Sequence, residues 1–138
     1  MATFGILDVV GSGMNAQNLR LNTIASNMAN AESVSSSIDQ TYRARHPVFA
    51  PLLDGMRAER GQVGVQVQGI VESDAPLRME YAPNHPMAND EGYIFKPNVN
   101  IIEEMANMMS ASRSYQMNVE MANTAKQMMT RTLTLGQQ

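Results

Sequence analysis

His46 and His85 are the residues in this chain best suited to proton transfer or metal binding. Each is next to a proline, and they lie far apart in the sequence, so a shared metal site would need a fold to join them. Two loop histidines is the simpler reading. Asp90-Glu91 and Glu103-Glu104 are adjacent carboxylates. Paired carboxylates do acid–base work only when both are aimed at one place, and neighbours on a helix point in different directions. Asp90 and Glu91 precede Gly92 and read as a solvated turn, while helix capping accounts for Glu103. Gly11-Ser12-Gly13 is too short for a dinucleotide fingerprint, no strand precedes it, and there is no Walker loop. Arg43 and Arg45 share a face of an extended segment. They form either a small basic contact for an acidic partner or a solvated strand edge. No catalytic constellation emerges, and the sequence predicts a non-enzyme with no cofactor and no metal.

The composition narrows the class further. The chain has 138 residues, room for one domain, and 43% of them are hydrophobic. Aromatic residues make up only 5% and Trp is absent, so large core anchors are scarce; 13 Met take their place. Methionine is unbranched and adaptable, and it suits both core filling and surfaces that fit several partners. A net charge of -3 argues against nucleic acid, which requires a basic footprint. Zero Cys rules out disulfides and thiolate metal sites. The first ten residues lack the basic and apolar regions of a secretory signal, and no apolar run approaches the ~18 residues of a membrane span. These rules alone predict a cytosolic protein with no direct membrane insertion.

With no chemistry to position, the weight falls on the two ends. Val10, Met14, Gln17, Leu21, Ile24, Met28 and Ala31 alternate steps of four and three. So do Ile101, Met105, Met108, Ser112, Tyr115, Val119, Ala122, Lys126, Met129 and Leu133. Such a seam sets one stripe of a long helix against another helix. Thr3 or Asp8 is the expected cap of the first helix. Gly5, Gly11 and Gly13 should weaken its first turns, so its firm part is expected over 14–31. Its polar positions hold Asn15, Asn18, Asn22, Ser26 and Asn30 in place of Lys and Glu, as suits a helix packed on several sides. The second helix is expected from Ile101 to Leu135, about 52 Å, with Asn100 as N-cap, Glu103 completing a capping box and Gly136 as the stop. Such ends should lack partners inside their own molecule, although a private antiparallel pair within one subunit would bury the same residues.

Between the ends, Glu32–Ser37 reads as a loop and Tyr42–Leu53, with Pro47 and Pro51, as irregular extended chain. A polar turn region is expected over 54–61. Val63, Val65 and Val67 alternate with polar or small residues, and Leu77, Met79 and Tyr81 repeat the pattern. These two strands are expected to pair as a hairpin, and Tyr93-Ile94-Phe95 to touch down on the core. The predicted fold is mainly α with a small β-rich middle. Residues 1–31 and 101–138 pair as a coiled coil, and 32–100 form a short hairpin and irregular segment.

The stretch Leu21 to Ala31, LNTIASNMANA, resembles the N-terminal signature of the flagellar axial proteins, the rod and hook family. Asn98 to Met109, followed by Ser112-Arg113-Ser114-Tyr115-Gln116, is similar to that family's C-terminal signature. Three further stretches narrow the likeness to a single rod member: Tyr42 to Arg45 with Pro47-Val48-Phe49, Gly69 to Glu72 through Ala75 to Arg78, and His85-Pro86 with Glu91-Gly92-Tyr93. Many axial proteins carry a Thr-x-Gly-Tyr turn where this chain has Ser33–Ser37, which sets it apart from hook and distal-rod members.

The resemblance implies a structural part of the proximal rod of the flagellar basal body. It implies export, without a cleaved signal, by the flagellar type III apparatus, which overrules the cytosolic expectation. Terminal helices would line an inner tube and the middle would form its outer wall. Partners would be proximal and distal rod proteins, the membrane ring and export gate, and further copies of the chain. The expected assembly residues are Leu21, Ile24, Asn27, Met28 and Asn30 on the first helix, and Met105, Met108, Tyr115, Val119, Ala122, Met129 and Leu133 on the second. A type III-secreted helical binding module, forming a soluble complex instead of a polymer, is the alternative.

Overall fold

A computed structural model describes residues 2–53 and 62–136. The turn expected over 54–61 lies outside them. Two long helices, α1 (Ala2–Asn30) and α2 (Ile101–Leu135), enclose four strands in sequence: β1 (Arg45–Leu52), β2 (Gly64–Glu72), β3 (Arg78–Tyr81) and β4 (Tyr93–Lys96). The fold is mainly helical with a small β middle, as the sequence predicts.

The α2 boundaries follow the local chemistry. The Asn100 side chain accepts from the Ile102 and Glu103 amides, and Gly136 closes the last turn by donating to the Thr132 carbonyl. Gly136 does so in a right-handed conformation (φ -77°), so its freedom to turn left is not used. The α1 start departs from expectation. The helix runs unbroken from Ala2 through Gly5, Gly11 and Gly13, and neither Thr3 nor Asp8 is its cap. Tertiary packing overrides the weak propensity there. Gly13 lies against α2, where a Cβ would sit 3.1 Å from Asn118 Nδ2. On the opposite side the Ser12 hydroxyl donates to the Val9 carbonyl at 2.7 Å and accepts from the Val65 amide of β2 at 3.0 Å. The amides and small hydroxyls noted in the sequence are not on these packed sides: Asn15, Asn18, Asn22 and Ser26 are exposed and Asn30 is half-buried, so in the monomer they make an uncharged solvent-facing stripe.

The strands are where the sequence signals lie, but their pairing differs. β2 and β3 do not form a hairpin with each other. β2 pairs antiparallel with β1, from Arg45↔Glu72 to Leu52↔Gly64, with a register shift between Val48 and Phe49. β3 pairs with β4, from Arg78↔Lys96 to Tyr81↔Tyr93. The Tyr42–Leu53 segment is therefore largely strand despite Pro47 and Pro51. Each strand of a two-stranded ribbon keeps one unpaired edge, which is where a strand tolerates proline. Side chains then tie the ribbons to the helices. Arg78 of β3 donates to the Pro97 carbonyl at 3.1 Å and to the Ala31 carbonyl, just beyond α1, at 3.2 Å. Phe95 bridges Ser35 in both directions, at 2.9 and 3.0 Å. Ile94, Phe95, Ala31, Ala44 and Val99 are buried where the ribbons meet the helix ends, with Tyr42 packed against the last three.

α1 and α2 pack on each other as an antiparallel pair. Asn27 meets Glu104 at one end and Gly13 meets Asn118 further along, the two contacts being equally spaced on both helices. The ends of the chain are therefore not without partners in their own molecule, and the private antiparallel pair is what the fold contains. Its seam is displaced from the expected one. The fully buried positions on α2 are Glu104, Ala111 and Ala125, each one residue before Met105, Ser112 and Lys126 of the expected heptad. Small side chains let two helices close tightly, so the contact settles on alanine and leaves the bulkier neighbours outside.

Candidate assembly interface

Asn27 is the most constrained of the residues singled out from the sequence. It is completely buried. Its Nδ2 donates to the Arg45 carbonyl at 2.9 Å and to Glu104 Oε2 at 3.1 Å. Its Oδ1 accepts from the Tyr42 hydroxyl at 2.8 Å and from the Arg45 amide at 2.9 Å. Its amide thus pairs with the Arg45 peptide much as a neighbouring strand would, and its bonding capacity is filled. Asn27 is committed to its own chain. Burial pushes the Tyr42 phenol above its ordinary value, with Glu104 and Glu72 adding to the effect and Arg45 opposing it. The Arg45 guanidinium lies 5.4 Å from the Tyr42 ring centre and pairs with Glu72 at 3.1 Å. That pair is half exposed and contributes little stability.

A second amide fastens the middle segment. Asn98 Oδ1 accepts from the Ala44 amide at 2.8 Å, and its Nδ2 donates to the carbonyls of Ala75 at 2.9 Å and Ser73 at 3.2 Å. Arg43 reaches the same two carbonyls at 3.2 and 3.4 Å, so it is a strut within the fold. On the β3–β4 ribbon, Lys96 bonds Glu80 at 2.6 Å, and that bond holds the Glu80 carboxyl below its usual range.

The remaining residues divide by position. Ile24 is buried; Leu21, Met28, Asn30, Met108, Ala122 and Met129 are half-buried; Met105, Tyr115, Val119 and Leu133 are exposed. Asn30 makes one local bond, to the Ser26 carbonyl at 2.8 Å. Met28, Met105, Met108 and Met109 line an apolar groove with Ser112 and Arg113, between the end of α1 and the first turns of α2. Along α2 the exposed apolar residues include Ile102 (79%), Met109 (60%), Met117 (62%), Leu133 (69%) and Leu135 (74%). Scattered exposed apolar residues are ordinary on any protein surface. Sequence reading missed Glu104 as a buried group, because an acidic residue in a first helical turn is normally a solvated partner of the dipole.

His46 lies on β1 and His85 in the turn after β3, where its Nδ1 accepts from the Met87 amide at 3.1 Å. Among the described residues, no group of three or more His, Cys, Asp or Glu could hold a metal ion. No described helix is long and apolar enough to cross a membrane.

Comparison with known proteins agrees with this architecture. Residues 7–34 match the family model described as flagella basal body rod protein, and residues 90–135 match that of the flagellar basal body rod FlgEFG protein C-terminal. Each falls largely on one of the two long helices. The flagellar basal-body rod protein FlgC of Salmonella typhimurium is 49% identical over 139 residues, covering 99% of this chain and 100% of that protein. FlgC of Yersinia enterocolitica is 48% identical over the same span. FlgC of Borreliella burgdorferi is 34% identical and covers 93% of each chain. With near-complete coverage in relatives this similar, the chain belongs to the FlgC family of flagellar basal-body rod proteins.

Proposed function

We propose that this chain is a building unit of the proximal flagellar rod, and that its exposed apolar helical surface is where it meets neighbouring subunits. Membership of the family makes it a structural rod component of the basal body, assembled with other rod components. Segments 1–31 and 101–138 form the inner, coiled-coil part of a helical tube, and 32–100 form its outer wall. Proximal and distal rod proteins, the membrane ring, the export gate and further copies of the chain are its neighbours. It is exported without a cleaved signal, and the assembled tube transmits torque. Many modest contacts suit a load-bearing joint, and contacts that repeat without closing generate a helix.

The observation that carries this reading is the exposure of Ile102, Met105 and Met109 at the four-methionine groove near the start of α2, and of Leu133 at its far end. Leu21, Ile24, Met28, Met108, Tyr115, Val119, Ala122 and Met129 support that surface from the helix pair. The test is charge placed where the monomer does not need the side chain. Met105→Asp and Leu133→Asp should leave helicity and melting temperature unchanged and abolish rod assembly and motility. Normal basal bodies in both variants would refute this interface.

A further inference from the structure

The α1–α2 seam contains little that would key one helix into the other. Beside Glu104, the buried positions of α2 are the alanines Ala111 and Ala125, and Gly13 of α1 lies against Asn118. The large apolar residues of α2 stand outside, with Met105, Met109, Met117 and Met121 all exposed. A seam of small residues fits nearly as well when one helix slides along the other by a heptad, and a buried polar position is what specifies register in such pairs.

We infer that Asn27 and Glu104 together set the register of the α1–α2 pair. Glu104 is only 4% exposed and Asn27 not at all, so each requires its partner. The Asn27 amide is oriented before it meets α2, because Arg45 and Tyr42 hold it through three hydrogen bonds. Its remaining N–H then points at the one place on α2 with a buried acceptor. A one-heptad slip in one direction sets Asn27 against Ala111, which offers no side-chain acceptor, and carries Glu104 past the end of α1. The opposite slip removes Asn27 from α2 altogether but brings Glu104 opposite Arg20. That second register, with its opposite charges, is the competitor that Asn27 holds off.

The chain has no cysteine, so engineered pairs report register without interference. Gly13→Cys with Asn118→Cys crosslinks the native register, and Gly13→Cys with Ala111→Cys crosslinks the competitor. In the otherwise unchanged full-length chain, the first pair should oxidise and the second should not. Adding Asn27→Leu should raise the yield of the second pair at least tenfold at the expense of the first. Glu104→Gln, which still offers an acceptor to Asn27, should keep the native pattern. If Asn27→Leu does not fold, the double variant Asn27→Leu with Glu104→Leu restores an apolar seam and should give both crosslinks. Exclusive native crosslinking in Asn27→Leu, or in the double variant, overturns the inference.

Discussion

Asn27 and Asn30 lie one helical turn apart and are the same residue type, yet replacing each with alanine should have very different consequences. Asn30→Ala removes one exposed bond, to the Ser26 carbonyl, and should cost no more than about 0.5 kcal/mol. Asn27→Ala removes four. Two are to the part-buried peptide groups of Arg45, at about 1 kcal/mol each. The Tyr42 hydroxyl loses its acceptor for a similar amount. The Glu104 carboxylate, nearly sealed from solvent, loses a donor to a charged group at roughly 1.5–3 kcal/mol. Allowing for relaxation, the total is about 3–5 kcal/mol, a large part of the ~5–15 kcal/mol that holds a domain together. For a chain of this size that lowers the melting temperature by roughly 10–20 °C. Urea and thermal unfolding followed by far-ultraviolet circular dichroism measure both variants, and an unchanged denaturant slope confirms that stability itself moved. If the two variants differ by less than about 1 kcal/mol, the account of Asn27 as a saturated junction of α1, β1 and α2 is wrong.

Gly11→Ala should stabilise the chain by about 0.5–1 kcal/mol, since a Cβ there meets nothing within 4 Å and α1 gains helix propensity; a loss in chemical denaturation would show hidden packing. Gly92→Ala should destabilise by about 1–3 kcal/mol, because Gly92 sits at φ +82° and a Cβ would approach Tyr81 to 3.0 Å and Pro83 to 3.1 Å. Burial should delay phenolate formation at Tyr42. Its value in the fold is raised above the 10.0 of an unhindered phenol, so its contribution is complete below pH 10.0 and is lost as pH rises through the raised value. The difference between spectrophotometric titrations of the parent chain and Tyr42→Phe isolates this group, and a midpoint at or below 10.0 would contradict the burial argument.

The sequence was most legible where structure is local. Asn100 and Gly136 bounded α2 because capping depends on adjacent residues. The strand alternation of 63–71 and 77–81 was equally visible, but pairing depends on partners far along the chain, and each strand bonds an outer neighbour instead of the other. The start of α1 was hidden because its glycines weaken an isolated helix, and the fit of Gly13 against Asn118 exists only once α2 lies alongside. The seam was displaced by one residue because periodicity weights bulky side chains, whereas the close contact is made through Ala111 and Ala125. Nothing local distinguishes Asn27 from Asn30, or marks Glu104 as buried. Those roles exist only after Arg45, Tyr42 and α2 converge.

The opposed directions of α1 and α2 bring Ala2 and Leu135 toward the same end of the pair. Tension applied between those two points would not shear the whole seam at once. It would peel the helices apart turn by turn, first through glycine and alanine contacts that resist weakly. The strongest resistance waits at the far end, where one amide holds a carboxylate, a phenol and a peptide group. A pulling trace should therefore extend softly for most of its length and break sharply last.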